Sequence, residues 1–312
     1  MIDNSYNITP QQINYILELN NERNFQRASE KCFVTQPTLS MQIKKAEELL
    51  GFLVFDRSRS PVELTPAGEE LVPILHDIQA EYTRISTLKK KKEGTHIEQL
   101  TIGIIPTIAA YLLVDIFEEA MRKFNKVQIK IKELKSEELI QAMLDKKIDL
   151  GIMAGPYNER RIRTVPLFQE EIKLFFPRST SEILSPSDIE NEQPWLLSEG
   201  NCLRTQMVNF CRLENSDSVD LKWNYEGGNI DLLIQMVELN GGYTLIPENY
   251  HITEFKLKRL FDKRTNEFPA REIIAIMHDK SLKKDVCETM IRIIQFRYSK
   301  PVSEALNVLS WK

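Results

Sequence analysis

Apolar residues recur every three or four positions in three short segments near the start of the chain, which is the spacing of helices with one buried face. Thr9 and Asn24 precede the first two segments as N-cap residues. Gly51 follows the third, where a glycine suits a left-handed helix end. The predicted helices run from residue 10 to a break at residues 20–21, over residues 25–31 and over residues 36–50. The last two, joined by a tight turn, have the layout of a helix-turn-helix.

A hairpin and a long helix follow these segments. Two short β-like pieces, residues 52–55 and 62–64, flank a basic tip that contains Arg57. This hairpin predicts a wing, so residues 1–65 are expected to form a winged helix-turn-helix domain. A linker helix is predicted over residues 66–93, and its heptad-like apolar seam favours pairing between two chains. The alternative is a helix that lies against its own domain.

From residue 98 the pattern changes to alternating strands and helices. Strands are predicted at residues 100–105, 127–133, 150–153, 172–176, 195–198, 221–225, 243–246 and 273–277. Helices are predicted at residues 107–124, 137–146, 203–212, 230–239 and 282–296. This alternation predicts an α/β regulatory domain with mainly parallel strands and two subdomains on either side of a cleft.

The expected fold class is therefore α+β overall, with a winged helix-turn-helix, a dimerisation helix and a regulatory domain like a periplasmic binding protein. The regulatory domain is assigned to residues 98–300. Its first subdomain takes about residues 98–168 and 270–300, and its second about residues 169–269. The tail, residues 301–312, is expected to form a further helix with Trp311 seeking a partner surface.

Composition narrows the possible classes of protein. The 312 residues are 42% hydrophobic and carry a net charge of −4, which indicates a folded, multidomain chain without a general attraction to nucleic acid. No apolar run reaches the roughly 20 residues of a membrane span, and the start of the chain lacks signal-peptide features. A cytoplasmic protein without a membrane partner is expected. The four cysteines form no Cys-x-x-Cys pair and the histidines are scattered, so neither a metal site nor a cofactor is expected.

Residues 25–57 carry a more specific pattern. They include Thr-Gln-Pro-Thr-Leu-Ser from Thr35, Leu-Gly at residues 50–51 and Phe-Asp-Arg at residues 55–57. In this spacing the segment resembles the winged helix-turn-helix of LysR-type transcriptional regulators, with Ala46 where that family usually has leucine. The resemblance implies a DNA-binding transcription regulator that is not an enzyme. It also implies double-stranded DNA and RNA polymerase as partners, and a homodimer or homotetramer as the assembly.

Polar side chains occupy the first two turns of the third predicted helix. Their hydrogen-bonding groups suit base edges in the major groove, whereas basic side chains at the helix flank and wing suit phosphates. The expected DNA-contacting residues are Gln36, Pro37, Thr38, Ser40, Gln42, Lys44 and Arg57. The alternative is that they form the solvated face of an ordinary surface helix.

The regulatory half contains Cys202 and Cys211 in the segment Glu-Gly-Asn-Cys-Leu-Arg-Thr-Gln-Met-Val-Asn-Phe-Cys. This segment resembles the redox segment of peroxide-sensing regulators within the LysR-type family. The resemblance implies that hydrogen peroxide oxidises Cys202 and that Cys211 resolves the product as a disulfide, which would control oxidative-stress genes. It also implies that Thr107, which follows Ile-Pro, lies beside the reactive cysteine and that Arg271 lies near it.

Two positions depart from the resembled pattern. Asn201 stands where histidine is expected, and Thr205 where aspartate is expected. Asparagine still donates a hydrogen bond, so Asn201 is kept as a supporting residue, but its side chain does not titrate near neutrality. The substitution therefore bears on the rate of oxidation more than on the mechanism.

The residues themselves support a reactive thiol. Cys202 is expected near a helix N-terminus, where the helix dipole and free N–H groups favour thiolate, and Arg204 adds positive charge. Thr107 is suited to bind peroxide or relay its proton. The sulfenic acid product would condense with a second thiol. If the segment is helical, Cys202 and Cys211 lie roughly 13.5 Å apart, whereas a disulfide needs Cα atoms about 4.4–6.8 Å apart. The helix would have to unwind, which makes it a two-state element.

Other interpretations stay open. The two cysteines are also explained as small buried hydrophobic residues. A regulator that responds to a small carboxylate metabolite is a second possibility, with Thr107 at a helix N-terminus as the carboxylate-binding residue. A thiol peroxidase is disfavoured by the DNA-binding pattern, and a periplasmic solute-binding protein by the missing signal peptide. Cys32 and Cys287 are expected to be structural.

Overall fold

The computed structural model describes residues 8–92, 98–211, 213, 227–252, 257–263, 265–279, 281, 283–299 and 306–310. The chain divides into two compact units, Met1–His96 and Ile97–Lys312. Across the described ranges no helix combines the length and the apolar character that crossing a bilayer requires. The strand expected at residues 221–225 and the side chain of Trp311 lie outside the described residues.

The first unit contains three short helices, a two-stranded hairpin and a long helix. Local capping explains where its helices begin. Thr9 and Gln12 form a reciprocal capping box, and the side chain of Asn24 accepts the N–H of Arg27 at 3.0 Å. Gly51 ends the third helix with a φ of +78°. The elements are α1 (Pro10–Glu22), α2 (Phe25–Lys31), α3 (Gln36–Leu50), β1 (Phe55–Asp56), β2 (Glu63–Leu64) and α4 (Pro66–Lys92).

These elements enclose a small core. Leu39 and Ile43 of α3 are fully buried and share one apolar cluster with Ile16 of α1 and Leu75 of α4. Ala46 is fully buried in the same cluster, so the small side chain at this position is a core residue. The antiparallel pair β1–β2 forms the wing. The winged helix-turn-helix is confirmed.

Helix α4 presents an apolar row to solvent. Leu75 points into the core of the unit, whereas Ile74, Tyr82 and Ile85 are 56%, 49% and 64% exposed. The exposed residues belong to the heptad-like seam of this helix. Two α4 helices packed together would cover such a row, and that pairing stays a prediction.

The second unit begins with the alternating strands and helices that the sequence predicts, and most predicted bounds lie within a few residues of the observed ones. Its elements are β3 (Glu98–Ile104), α5 (Pro106–Lys123), β4 (Val127–Glu133), α6 (Ser136–Leu144), β5 (Leu150–Ala154), β6 (Ile162–Phe175), β7 (Ile183–Leu184), α7 (Cys202–Cys211), α8 (Ile230–Asn240), β8 (Thr244–Pro247), β9 (Leu257–Leu260), β10 (Phe268–His278), α9 (Lys284–Arg297) and β11 (Leu306–Val308).

The strands of this unit form a mixed sheet. Their order is β4-β3-β5-β10-β6-β9-β7, with β11 added to β10 and β8 to β6. Strand β3 is parallel to β4 and β5, whereas β10 is antiparallel to both β5 and β6. The expectation of mainly parallel strands is therefore wrong for the centre of the sheet. The direction there depends on pairing between segments that are distant in sequence, which the local pattern does not encode.

Strand β6 is shared between two parts of the sheet. The stretch from Ile162 to Glu171 pairs with β10, and the following residues up to Phe175 pair with β8. The sequence pattern predicts only the second half of this strand, because Pro166 and several polar residues interrupt the apolar run in the first half. One of the polar residues in this half, Glu170, lies opposite Arg271 and pairs with it.

Three further assignments differ from the structure. Residues 195–198 form no strand, and an isolated bridge joins Pro194 to Tyr243 instead. Strands β7 and β9 were not expected. The tail was expected to be helical, but its described part forms β11, parallel to β10. These short strands form by pairing with existing strand edges, and their few residues carry little local signal of their own.

Candidate functional site

The first candidate site is the exposed start of α3. Gln36, Pro37 and Lys44 are exposed, whereas Thr38, Ser40 and Gln42 are half-buried. Thr35 caps the helix: its hydroxyl accepts the N–H of Thr38 at 3.4 Å and lies 2.8 Å from the Thr38 hydroxyl. Gln36, Ser40 and Lys44 are four residues apart and therefore share one face of the helix. Thr38 and Gln42, which are also four residues apart, share a second face, and the buried Leu39 lies between the two polar faces.

Arg57 fixes the wing to the same helix. Its Nη2 atom donates to Glu47 Oε2 at 2.7 Å, and its guanidinium lies 5.5 Å from the ring centre of Phe25. Glu47 is buried and also accepts the backbone N–H groups of Val54 and Phe55 at 2.9 and 3.2 Å. The ion pair gives Arg57 a structural role that the sequence pattern did not indicate. Its contact with a DNA phosphate stays a prediction.

The second candidate site surrounds Cys202, the first residue of α7. Gly200, with a φ of +80°, turns the chain into this helix. The side-chain amide of Asn201 donates to Ser198 O at 2.8 Å and to Ser198 Oγ at 3.0 Å. Asn201 therefore holds the turn that places Cys202 at the helix N-terminus. Cys202 itself is buried and its thiol is free.

Thr107 and Arg271 lie beside this thiol. The Thr107 side chain is a hydrogen-bond partner of the Cys202 sulfur. Arg271 Nη1 donates to Thr107 Oγ1 at 3.0 Å, and Nη2 donates to Thr107 O at 3.2 Å. Residues from α5, α7 and β10 thus converge on one point, as the resemblance implied for Thr107 and Arg271.

A buried acid holds Arg271 in place. Arg271 Nε donates to Glu170 Oε1 at 2.7 Å, and neither side chain is exposed. The same carboxylate accepts the Tyr111 hydroxyl at 2.7 Å and the Asn249 amide at 2.9 Å. Burial is the largest single influence and lowers the pKa of Arg271, but Glu170, Tyr111 and Cys202 together outweigh it, so the net pKa is raised. The guanidinium is therefore a permanent charge inside the protein.

The electrostatics of Cys202 differ from the expectation. Burial raises the pKa of its thiol, and the Arg271 charge, the Thr107 hydroxyl and the Leu203 backbone N–H offset this only in part. A resting thiolate is therefore disfavoured. Arg204, expected to supply positive charge, instead donates to the Leu197 carbonyl at 3.0 Å. Arg271 takes the electrostatic role that Arg204 was expected to have.

Cys211 is the last residue of the same helix. It is half-buried, and burial raises the pKa of its thiol to about 12, against a hydrogen bond from the Tyr243 hydroxyl that lowers it. Both thiols are free and stand at opposite ends of the ten-residue helix. Nine residues of α-helix span roughly 13.5 Å, which exceeds the reach of a disulfide.

The local sequence pattern does not identify Glu170, Tyr111 or Asn249 as residues of this site. One feature of the sequence indicates a buried acid: Arg271 stands within an apolar strand, and a buried arginine requires an acidic partner. Glu170 and Glu171 both stand in a strand, and choosing between them requires the register of the sheet. Glu170 is the residue directly opposite Arg271 in the β6–β10 pair.

Comparisons with known proteins bear on both units. The family model described as "Bacterial regulatory helix-turn-helix protein, lysR family" matches residues 10–69. The model described as "LysR substrate binding domain" matches residues 93–296. Together they cover most of the chain.

Individual relatives agree with the family models. The HTH-type transcriptional regulator EstR of Acinetobacter baylyi is 28% identical over 291 residues, which is 91% of this chain and 95% of that protein. The hydrogen peroxide-inducible genes activator of Pectobacterium carotovorum is 31% identical over 239 residues, 75% of this chain and 78% of that protein. The solved structure of a full-length OxyR variant from Pseudomonas aeruginosa, 25% identical, covers 93% of this chain and 98% of its own with a TM-score of 0.67.

Proposed function

Because this chain belongs to the LysR family of DNA-binding transcription regulators, we propose that it is a sensor whose input is hydrogen peroxide. One observation carries the proposal. Cys202 is the first residue of α7 and contacts Thr107, whose hydroxyl accepts a hydrogen bond from Arg271. Cys211 is the last residue of the same helix. This combines a peroxide-reactive position, a donor network and a second thiol within one element. The relatives named for hydrogen peroxide support the same assignment.

The first chemical step is oxidation of Cys202. The Cys202 thiol gives up its proton and its sulfur attacks one oxygen of hydrogen peroxide, so that an S–O bond forms as the O–O bond breaks. Sulfur loses two electrons, and the departing oxygen takes the proton that the thiol released and leaves as water. Thr107 and Arg271 are the groups placed to donate hydrogen bonds to the peroxide oxygens and to stabilise the charge on the leaving oxygen.

The second step is resolution by Cys211. Its sulfur attacks the sulfenic acid of Cys202, an S–S bond forms, the S–O bond breaks and water is released. In the helix, burial keeps Cys211 protonated, with a pKa of about 12. Unwinding of α7 brings the two sulfurs together, and it also exposes Cys211 to water, where its pKa falls toward about 8.5. Movement and activation of the resolving thiol are thus one event.

The output is altered DNA binding. We assign base reading to Gln36, Thr38, Ser40 and Gln42, a DNA contact of unspecified kind to Pro37, and phosphate contact to Lys44 and Arg57. Oxidation exchanges a helix for a rearranged segment, which changes the surface of the regulatory unit and the packing of chains paired through α4. Double-stranded DNA, RNA polymerase and a homodimer or homotetramer are the proposed partners, and oxidative-stress genes the proposed targets.

The alternative is a LysR-type regulator that responds to a small carboxylate metabolite. Thr107 at the start of α5 and the buried Arg271 would suit such an anion. EstR, a relative whose name does not refer to peroxide, covers more of this chain than the peroxide-linked relative does. The two functions differ in whether the response depends on Cys202.

Thiol trapping after brief exposure to micromolar peroxide tests the proposal. Mass spectrometry should find a Cys202–Cys211 crosslink in the wild type. Cys211→Ser should stop at the sulfenic acid, and Cys202→Ser should not react at this site. Cys287→Ser is a matched control that retains the crosslink. Footprinting of bound promoter DNA with and without reductant gives the output. Unlinked thiols after peroxide, together with a footprint that changes with carboxylates in Cys202→Ser, would establish the alternative.

A further inference from the structure

The described tail residues contact the strand that carries Arg271. Strand β11 runs parallel to β10, with Leu306 opposite Phe268 and Val308 opposite Ala270. The Leu309 N–H then donates to the Ala270 carbonyl at 2.8 Å. Ala270 immediately precedes Arg271, so β11 supports the strand at the point where it enters the cysteine site.

The same tail residue contacts helix α7. The Leu309 carbonyl accepts a hydrogen bond from Gln206 Nε2 at 3.1 Å. Gln206 is fully buried near the middle of α7, between the two cysteines, and its Oε1 atom has no hydrogen-bond partner among the described residues. Among the described residues, the Leu309 carbonyl is therefore the hydrogen-bond partner of the Gln206 side chain. The backbone of Leu309 bridges β10 and the helix that carries both thiols.

We infer that β11 and the two residues after it, 306–310, form a clasp that holds α7 in its helical state. Unwinding of α7 would withdraw Gln206 and break its bond to Leu309. Equilibrium coupling is reciprocal, so a clasp that stabilises the helix is itself stabilised by the helix. The contacts of the clasp are present in the structure with free thiols. Release of the clasp on oxidation rests on the proposed function.

Hydrogen exchange of the full-length protein tests the clasp without peroxide. Gln206→Met removes the amide and keeps a long side chain, and Asn209→Met makes the same change at an exposed position of α7. One hydrogen bond corresponds to roughly threefold to tenfold in an opening equilibrium. In reduced protein, amide exchange in the peptide that contains Leu309 should accelerate by about that factor in Gln206→Met and stay at the wild-type rate in Asn209→Met. Equal exchange in all three proteins would overturn the inference.

Leu309→Pro removes the other hydrogen bond of the clasp, because proline lacks the N–H that donates to the Ala270 carbonyl. Exchange should then accelerate within α7, and trapped sulfenic acid should convert to the disulfide several times faster than in the wild type. Unchanged exchange in α7 would refute the clasp even if Gln206→Met failed to fold.

Treatment with peroxide distinguishes release of the clasp from the proposed peroxide-sensing function. If the Cys202–Cys211 crosslink forms and exchange at Leu309 accelerates, release is established. If the crosslink forms and Leu309 stays protected, release is wrong and the sensor assignment survives. If no crosslink forms, the sensor assignment fails, and the variants in reduced protein still decide whether the clasp exists.

Discussion

Arg271 and Glu170 lie directly opposite each other on adjacent antiparallel strands and form a 2.7 Å ion pair from which solvent is excluded. A buried charge without a partner is strongly destabilising, so each residue of the pair requires the other. The pair also aims two guanidinium nitrogens at Thr107, which in turn contacts Cys202. Stability and the chemistry of the thiol are therefore linked through one carboxylate.

Glu170→Gln should expose this link. The substitution leaves Arg271 charged and buried without a counterion, and we expect a loss of about 3 kcal/mol in the free energy of unfolding. Oxidation of Cys202 should also slow, because Arg271 no longer has a fixed position. Urea titration and peroxide competition kinetics measure the two effects.

Glu171→Gln is the matched control for this prediction. Glu171 is the neighbouring residue, and its partner Arg259 is partly exposed, with an N–O distance of 2.9 Å. Glu171 is itself buried, but the Arg259 side chain is 31% exposed, so loss of this pair should cost less than loss of the Glu170–Arg271 pair and leave the oxidation rate unchanged. Similar oxidation rates in both variants would show that Glu170 does not position the site.

Thr107→Val should slow the oxidation of Cys202 and also cost about 1–3 kcal/mol in stability, because the buried Arg271 loses the hydroxyl that accepts its Nη1–H. Valine has nearly the shape of threonine but lacks the hydroxyl that contacts the sulfur and Arg271. Loss of a hydrogen bond to a charged group corresponds to roughly tenfold to a hundredfold in rate. Stopped-flow measurement in a Cys211→Ser background isolates this step.

Thr107→Ser restores a hydroxyl and should bring the rate back to within a few-fold of the wild type. If valine and serine at this position gave equal rates, the hydroxyl would have no part in the reaction.

Arg57→Ala should destabilise the DNA-binding unit. Its removal leaves the buried Glu47 carboxylate with two backbone N–H donors and no counterion. We expect a loss of about 1–3 kcal/mol in the free energy of unfolding, which is separate from the phosphate contact proposed for this arginine. Thermal unfolding of the variant provides the measurement.

Arg59→Ala serves as the comparison in the wing. Arg59 is 63% exposed and pairs with Asp56 and Glu63 at the surface, so its loss should cost less than about 1 kcal/mol. Equal destabilisation by the two alanine variants would contradict the structural role of Arg57.

Stability should fall in alkaline solution because of Cys287. Burial, and then the charge of Asp149, raise the pKa of this thiol to about 12, whereas an unfolded chain ionises it near 8.5. A raised folded-state pKa contributes stability that is complete below the unfolded value and is lost as pH rises toward the folded value. The free energy of unfolding should therefore fall with a contribution of about 1.4 kcal/mol per pH unit from this thiol above roughly pH 8.5.

Cys287→Ala removes the titrating group. Urea unfolding across this alkaline range should show a shallower pH dependence in the variant, whatever its absolute stability. An identical slope in the two proteins would refute the assignment.

The sequence predicts those features that depend on neighbouring residues. Thr9 and Asn24 identify helix starts because a cap and its partner are three residues apart. The positions of Cys202 and Cys211 at the ends of one helix also follow from a local pattern. These predictions succeed because the interactions that determine the features join residues close together in the sequence.

The remaining features depend on contacts between distant segments. Glu170 is identified as the partner of Arg271 only by the register of β6 against β10. The bond between Gln206 and Leu309 depends on β11, whose short segment was expected to be helical. Burial of Cys202, which raises its pKa, likewise depends on residues from distant segments, among them Thr107 and Arg271, and the sequence motif does not encode it.

The length of α7 has a consequence for how the proposed signal ends. A ten-residue helix re-forms within about a microsecond once nothing prevents it. Exchange of a disulfide with an external thiol takes seconds to hours. After the Cys202–Cys211 bond is cut, re-formation of α7 would therefore add little delay, and the duration of the proposed response would be set by the supply of cellular reductant.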